Sequence, residues 1–370
     1  MKRTGKISAI LAVCTAAGLL WKTQEVAQGV RTGLSVCAGT VIPSLFPFMV
    51  LAGLIASTKA GMQLSQAVST VTKRILGLPE ALGAVLLMSF IGGFPVGAKM
   101  LSTMLERHQI DSRTASLALC YCVNAGPSFL ISAVGAAMLG RLRAGVILLS
   151  AQILAALIVC GVVSRRKKAA IPPLTTPQMT SGAFVEAVRG AASGMLGICA
   201  FITAFSALTA LLKALGIFDA ACSALAHLFP QLGVSFFSAL FTGLLAVTNG
   251  CKAAAALHTQ TGFVLCAFLI SFSSLSISFQ IQSCFSNGCG VKFTPYYLSR
   301  LIHGGITACL AWLGWHLLPE KEVAAVVLNG QPVAKIAPNM FISSVCLICM
   351  CAILILNVPN KKKTQAKHSR

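Results

Sequence analysis

Asn124, Ser128, Asn249, Ser274, Ser276 and Gln280 stand in stretches that are otherwise almost wholly apolar. Amide and hydroxyl groups in such surroundings mark solute or ion pathways, because they hydrogen-bond a neutral polar solute or ligate a small cation through oxygen. Two lysines extend the set. Lys99 closes the run SFIGGFPVGAKM (89–100) and Lys252 closes VTNGCK (247–252). Each either faces a cavity and binds an anionic group or snorkels to a membrane interface, and the interface reading is preferred for Lys252. The candidate solute-binding residues are therefore Gly92, Gly93, Pro95, Lys99, Asn124, Ser128, Asn249, Ser274, Ser276 and Gln280. For any single serine the plainer reading is helix-to-helix hydrogen bonding, at about 0.6 kcal/mol per contact. The case for a site rests on the polar breaks taken together.

The elements that position these groups must be interrupted ones. Gly92, Gly93, Pro95 and Gly97 break an apolar segment, and irregular backbone at membrane depth has to be buried in protein or line a wet cavity. Pro127, inside NAGPS (124–128), frees a backbone carbonyl in the same way. Ser271, Ser273, Ser274, Ser276, Ser278, Gln280 and Gln282 alternate with apolar residues, and an extended or unwound stretch would line them along one side.

With 56% hydrophobic and 10% charged residues in 370 and a mean hydropathy of +0.84, the chain is far more apolar than a soluble domain. The expected class is an all-α polytopic membrane protein. Intervals free of Asp, Glu, Lys and Arg run over 7–21, 32–58, 81–98, 114–140, 144–164, 190–212, 220–251, 253–291, 301–319 and 336–360. Most reach the roughly 20 residues that a spanning helix needs. The first is short, and a secretory signal peptide is its competing reading.

Cytoplasmic loops collect Lys and Arg, and three clusters stand out: Lys2, Arg3 and Lys6; Arg165 to Lys168; and Lys361 to Lys363 with Lys367 and Arg370. Five intervals separate each cluster from the next, and an odd number of crossings cannot return a chain to its starting side. One interval in each half must fail to cross, and 81–98 and 220–251 are the natural re-entrant segments. About eight spans remain, with both termini in the cytoplasm of a cell-membrane protein. Lys22, Arg31, Arg141, Arg143, Lys213, Lys252, Lys321 and Lys335 then lie outside and the other 21 of 29 basic residues inside.

The halves resemble each other. EVAQGVRTG (25–33) and EAVRGAASG (186–194) each precede a span, a broken segment ending in lysine and a Ser/Asn/Gly-rich helix, at an offset of about 155 residues. The first copy starts from outside and the second from inside, which predicts two inverted repeats. The expected organisation is an N-terminal helix (1–24), a first membrane repeat (25–164), a basic cytoplasmic linker (165–181), a second repeat (182–319), a loop with a C-terminal helix (320–360) and a basic tail (361–370).

All eight acidic residues fall in expected loops or at span ends, leaving no buried carboxylate to relay protons or anchor sodium. The six histidines show no zinc-ligand spacing, and the 15 cysteines are scattered through apolar spans. Neither a metal, a cofactor nor a catalytic triad is expected, so the chain reads as no enzyme. The charge of +21 fits orientation signals and anionic head groups better than nucleic acid. The expected partners are the lipid bilayer and a small polar solute, with a homo-oligomer left open.

VIPSLFPFMVLAGLI (41–55), GGFPVGAK (92–99), NAGPSFLISAVG (124–135) and VTNGCKAA (247–254) resemble the YlbJ-type sporulation integral membrane proteins. Those belong to a wider group with a nucleoside-recognition, or Gate, domain. The resemblance covers about residues 25–320. It implies a multi-pass protein needed for spore cortex formation, and it marks Pro43, Pro47, Gly92, Gly93, Pro95, Gly97, Lys99, Asn124, Gly126, Pro127, Asn249, Gly250 and Lys252. Phe94 departs from the family pattern, where Tyr is expected, and lacks that hydroxyl. Two functions follow: a secondary transporter or channel for a small polar solute, nucleoside-like solutes included, or a non-transporting scaffold for cortex assembly proteins.

Overall fold

The computed structural model describes residues 13–57, 72–164 and 182–317; the basic clusters at 2–6, 165–168 and 361–370, and the expected C-terminal span, lie outside them. Within the described residues the secondary structure is helical. In the first half, α1 (Thr23–Val36) continues through a π turn, Cys37–Val41, into α2 (Ile42–Ser57). Then come a π turn at Thr72–Leu76, α3 (Glu80–Gly92), α4 (Phe94–Glu106), α5 (Ser112–Ala118), a π-helix (Ser128–Met138) and α6 (Leu142–Ser164). The second half holds α7 (Ala183–Ala214), α8 (Ile217–Leu228), α9 (Gly233–Leu245), α10 (Val247–Ala255), α11 (Gln260–Phe272), α12 (Leu275–Ser283) and α13 (Thr294–Trp315).

Among the described residues three helical stretches are long and apolar enough to cross a bilayer: Leu142–Ser164, Ala183–Ala214 and Gln260–Ser283, the last counted across its break. Burial is inside-out. Gln152 and His303 are wholly buried while Leu154 is 48% and Leu313 57% exposed. Polar faces turned inward and apolar faces turned outward suit a lipid surround, and the protein is an integral membrane protein.

The long helices α1–α2 and α7 run side by side. A Cβ on Gly29 would stand 2.5 Å from Ala210 Cβ, one on Gly33 2.9 Å from Thr203 Cα, and one on Gly53 3.2 Å from Ala187 Cβ. Residue numbers rise on one helix as they fall on the other, so the pair is antiparallel. Small residues let the backbones approach closely, as membrane helix pairs require.

Two breaks fold the chain back on itself. Gly93 takes φ +82° and ψ −172°, a backbone conformation open only to glycine, and Pro95 lies in the first turn of α4. A Cβ on Gly97 would stand 2.9 Å from Ser89 Cβ, and one on Gly250 2.0 Å from Gly243 Cα. Residues seven or eight apart in one straight helix lie roughly 10–12 Å apart along its axis. The α3–α4 and α9–α10 pairs are therefore helical hairpins, at the two segments expected to turn back.

The serine run departs from expectation. It is not extended: α11 continues to Phe272, only Ser273 and Ser274 break, and α12 resumes at Leu275. Ser273 sits at φ +59° and ψ 72°, and the Ser274 hydroxyl accepts a bond from the Ile277 N–H at 3.4 Å. That cap restarts a helix at once. Ser276 and Gln280, four apart, consequently share a helical face that Ser278, which an extended run would have kept beside them, does not join.

Candidate functional site

Four interruptions meet around one cavity: Gly93 between α3 and α4, residues 119–126 between α5 and the π-helix, Ala246 between α9 and α10, and Ser273–Ser274 between α11 and α12. Gly92, Gly93, Phe94, Pro95, Gly126 and Phe129 line it from the first half, with Val41, Leu45 and Met49 of the long helix. Ala246, Val247, Thr248, Ser274, Ser276, Ile277 and Gln280 line it from the second, with Ile198 and Ile202. The space is partly open, and its enclosed part amounts to about 40 Å³. Mostly apolar walls with a few polar groups are the usual form of a small-molecule site.

Gly92, Gly93, Pro95, Ser274, Ser276 and Gln280 are thus brought together on this cavity, and Gln280 Nε2 donates to Ser276 Oγ at 3.4 Å. The other four candidates are not among its lining residues. Asn124 Nδ2 donates to Ser89 Oγ at 2.9 Å and to the Tyr121 carbonyl at 2.8 Å, tying the unwound stretch to the first hairpin. Asn249 Nδ2 donates to Ser206 Oγ at 2.8 Å, tying the second hairpin to α7. Ser128 is buried at the start of the π-helix, and Lys99 is exposed on α4.

Helix N-termini dominate the cavity wall. The first turns of α4, α10 and the π-helix have no side-chain cap, so their leading N–H groups lack the acceptors that side chains commonly supply, although in α4 Pro95 has no N–H and the Val96 N–H donates to the Gly93 carbonyl at 3.2 Å. Such ends favour acceptors and negative charge. Thr248 adds a hydroxyl at the start of α10, a residue absent from the sequence-derived set.

Over 319 residues the chain is 25% identical to the sporulation integral membrane protein YlbJ of Bacillus subtilis (strain 168), an alignment covering 77% of this chain and 76% of that protein. No family model matches the chain. No solved structure matches it significantly. The likeness supports a membrane protein with a sporulation role. Phe94, which departs from the pattern expected of YlbJ-type proteins, lines the cavity and presents a ring without a hydroxyl there.

Residues that sequence reasoning missed hold the unwound wall in place. Gln152 is wholly buried on α6; its Oε1 accepts from the Ala125 N–H at 3.1 Å and its Nε2 donates to the Ala125 carbonyl at 3.0 Å. Arg300, placed with the cytoplasmic charges by the topology count, is 1% exposed inside α13. Its Nη1 donates to the Val123 carbonyl at 2.7 Å and its Nη2 to the Cys120 carbonyl. Ser299 Oγ reaches that same carbonyl at 3.4 Å. Freed backbone groups in the segment thereby gain side-chain partners, as a dry interior demands. Tyr296, Ser299, Arg300, His303 and Thr307 recur three or four apart, and that inward polar stripe was the signal available in the sequence.

Proposed function

We propose that this protein is a sporulation membrane carrier or channel whose central cavity binds a small polar solute rich in oxygen acceptors, negatively charged solutes included. The observation carrying this reading is the convergence of uncapped helix N-termini from both halves on one cavity. In secondary transporters, half-helix N-termini point at anionic groups of the substrate. The sporulation role is supported by the likeness to YlbJ, and cortex formation as its outcome belongs to the proposal.

The proposed architecture is two inverted repeats with eight spans, two re-entrant hairpins and both termini cytoplasmic in the cell membrane. Its support is the similar element order of the halves: a long helix, a helical hairpin, an interrupted helix and a closing helix, with α8 added between the first two in the second half. The hairpins also match in detail. Gly97 and Gly250 stand four residues past the breaks at Gly93 and Ala246, and Lys99 and Lys252 stand six past. Antiparallel packing of the two long helices fits the inversion. A membrane-impermeant maleimide is expected to label Lys252→Cys in intact cells and Lys99→Cys only after permeabilisation, each placed in a cysteine-free background. Labelling of both from one side would remove the inversion.

A sporulation assay tests the carrier reading. A strain lacking the gene is complemented with wild type, with Thr248→Val/Gln280→Leu, or with a chain ending at Asn360, and membrane levels are checked by blot. Each neutral hydrogen bond lost to the solute costs about 1 kcal/mol, or about fivefold in affinity. The double variant is expected to insert normally and yield fewer heat-resistant spores, while the truncation complements. The reverse pattern would favour a scaffold acting through its basic tail.

A further inference from the structure

Unwound carbonyls in secondary carriers are where coupling cations are held. In this chain the carbonyls of Cys120 and Val123 in the unwound stretch are taken by a side chain, Arg300, which bridges them from α13. The guanidinium carbon lies 5.4 Å from the centre of the Tyr296 ring, one turn earlier on the same helix. No carboxylate of the described residues forms an ion pair with it. A buried cation without an anionic partner is costly, and here two carbonyl dipoles and an aromatic face offset part of that cost, while the Nε–H has no partner.

We propose that Arg300 is a tethered cation: its guanidinium stands where these carbonyls would otherwise hold a free monovalent ion, and orders residues 119–126 without one. Gln152 secures Ala125, the next part of that stretch, and Gly126 beside it lines the cavity. Arg300 is thus a positioning residue for the cavity wall. Its consequence, solute movement that needs no sodium, rests on the carrier reading; the ordering of the segment does not.

Asn124 Oδ1 and Ser128 Oγ are buried acceptors without partners in the same region. They are the atoms a free cation would use if one bound beside Arg300, so the wild-type protein is part of the test. Thermal unfolding of the purified full-length protein is followed in detergent with sodium, potassium or choline as the sole monovalent cation, with and without low-millimolar guanidinium. Wild type is expected to unfold at one temperature in all three salts. Arg300→Ala is expected to unfold several degrees lower, with most of the loss restored by guanidinium and none by choline. Arg300→Lys keeps the charge, loses the fork that spans two carbonyls, and is expected to fall between them.

Stabilisation of wild type by sodium over choline would overturn the proposal. So would an Arg300→Ala protein as stable as wild type, or one equally destabilised in every cation, guanidinium included. Should Arg300→Ala fail to accumulate, alkylation of the buried Cys120 and Cys122 by N-ethylmaleimide, read by peptide mass, gives the answer in Arg300→Lys. Faster labelling than in wild type, slowed again by guanidinium, supports the tether; labelling at the wild-type rate overturns it. Solute movement is not measured in either arm, so these readouts stand or fall apart from the carrier reading.

Discussion

Gly97→Ala is expected to abolish the folded membrane protein or to lower its stability by about 3 kcal/mol or more, the upper end of overpacking costs. A Cβ at this position would stand 1.9 Å from the Cys122 carbonyl oxygen and 2.9 Å from Ser89 Cβ. Neither neighbour can step aside cheaply. The carbonyl belongs to backbone that is held on both sides by Arg300, and Ser89 faces Gly97 across the hairpin and accepts the bond from Asn124. Gly197→Ala is the matched control, since nothing lies within 4 Å of its added Cβ; there the helix gains propensity, about 0.5–1 kcal/mol. Detergent-solubilised yield by fluorescence size exclusion, followed by thermal unfolding of whatever is monodisperse, separates the two outcomes. A Gly97→Ala protein as stable as wild type would mean that the hairpin and the unwound stretch do not touch as described.

The first hairpin and the unwound stretch were legible because they are marked by residues with special backbone geometry. GGFPVGAK announces a break through Gly93, and only glycine tolerates its φ of +82°. NAGPS announces another through Pro127, where the missing N–H ends any continuous ladder. Both signals are local, and local signals survive in a single sequence.

The remaining parts of the site depend on tertiary placement. Ala246 breaks the second hairpin in an extended conformation, φ −144° and ψ 112°, that any residue adopts, so only the nearby VTNGCK marked the region. The serine run offered a period of two, yet the Ser274 cap restores a helix immediately and selects Ser276 and Gln280 for the cavity. Charge counting treats every arginine as a topology signal. It placed Arg300 at an interface because Lys292 and Arg300 bound two apolar intervals, and it took no account of the freed carbonyls at 120 and 123 that the guanidinium satisfies. The polar stripe on α13 hints that Arg300 turns inward, but its partners cannot be read from it: the carbonyls belong to backbone 177 to 180 residues away in the chain.

Gln152→Leu is the second large effect, and it distinguishes groups that build the cavity from groups that meet its contents. Gln152 contributes nothing to the cavity lining, yet its amide matches both hydrogen-bonding groups of Ala125 at 3.1 and 3.0 Å. Leucine has nearly the same shape and fits an apolar neighbourhood, so packing changes little. Two buried backbone groups are left without partners, at about 1–3 kcal/mol each. The expected loss is therefore about 3 kcal/mol, read as a lower unfolding temperature and faster alkylation of Cys122. Gln152→Glu when ionised keeps an acceptor for the Ala125 N–H but has no donor for its carbonyl and buries a charge; protonation removes the charge and restores one O–H donor. It should therefore fall short of wild type at neutral pH and recover partly in acid. Gln280→Leu, by contrast, removes an amide that faces the cavity, and its unfolding temperature should stay near that of wild type while spore yield falls. If Gln152→Leu were as stable as wild type, the bonds to Ala125 would not be what holds the unwound stretch, and its order would rest on Arg300, Ser299 and Asn124.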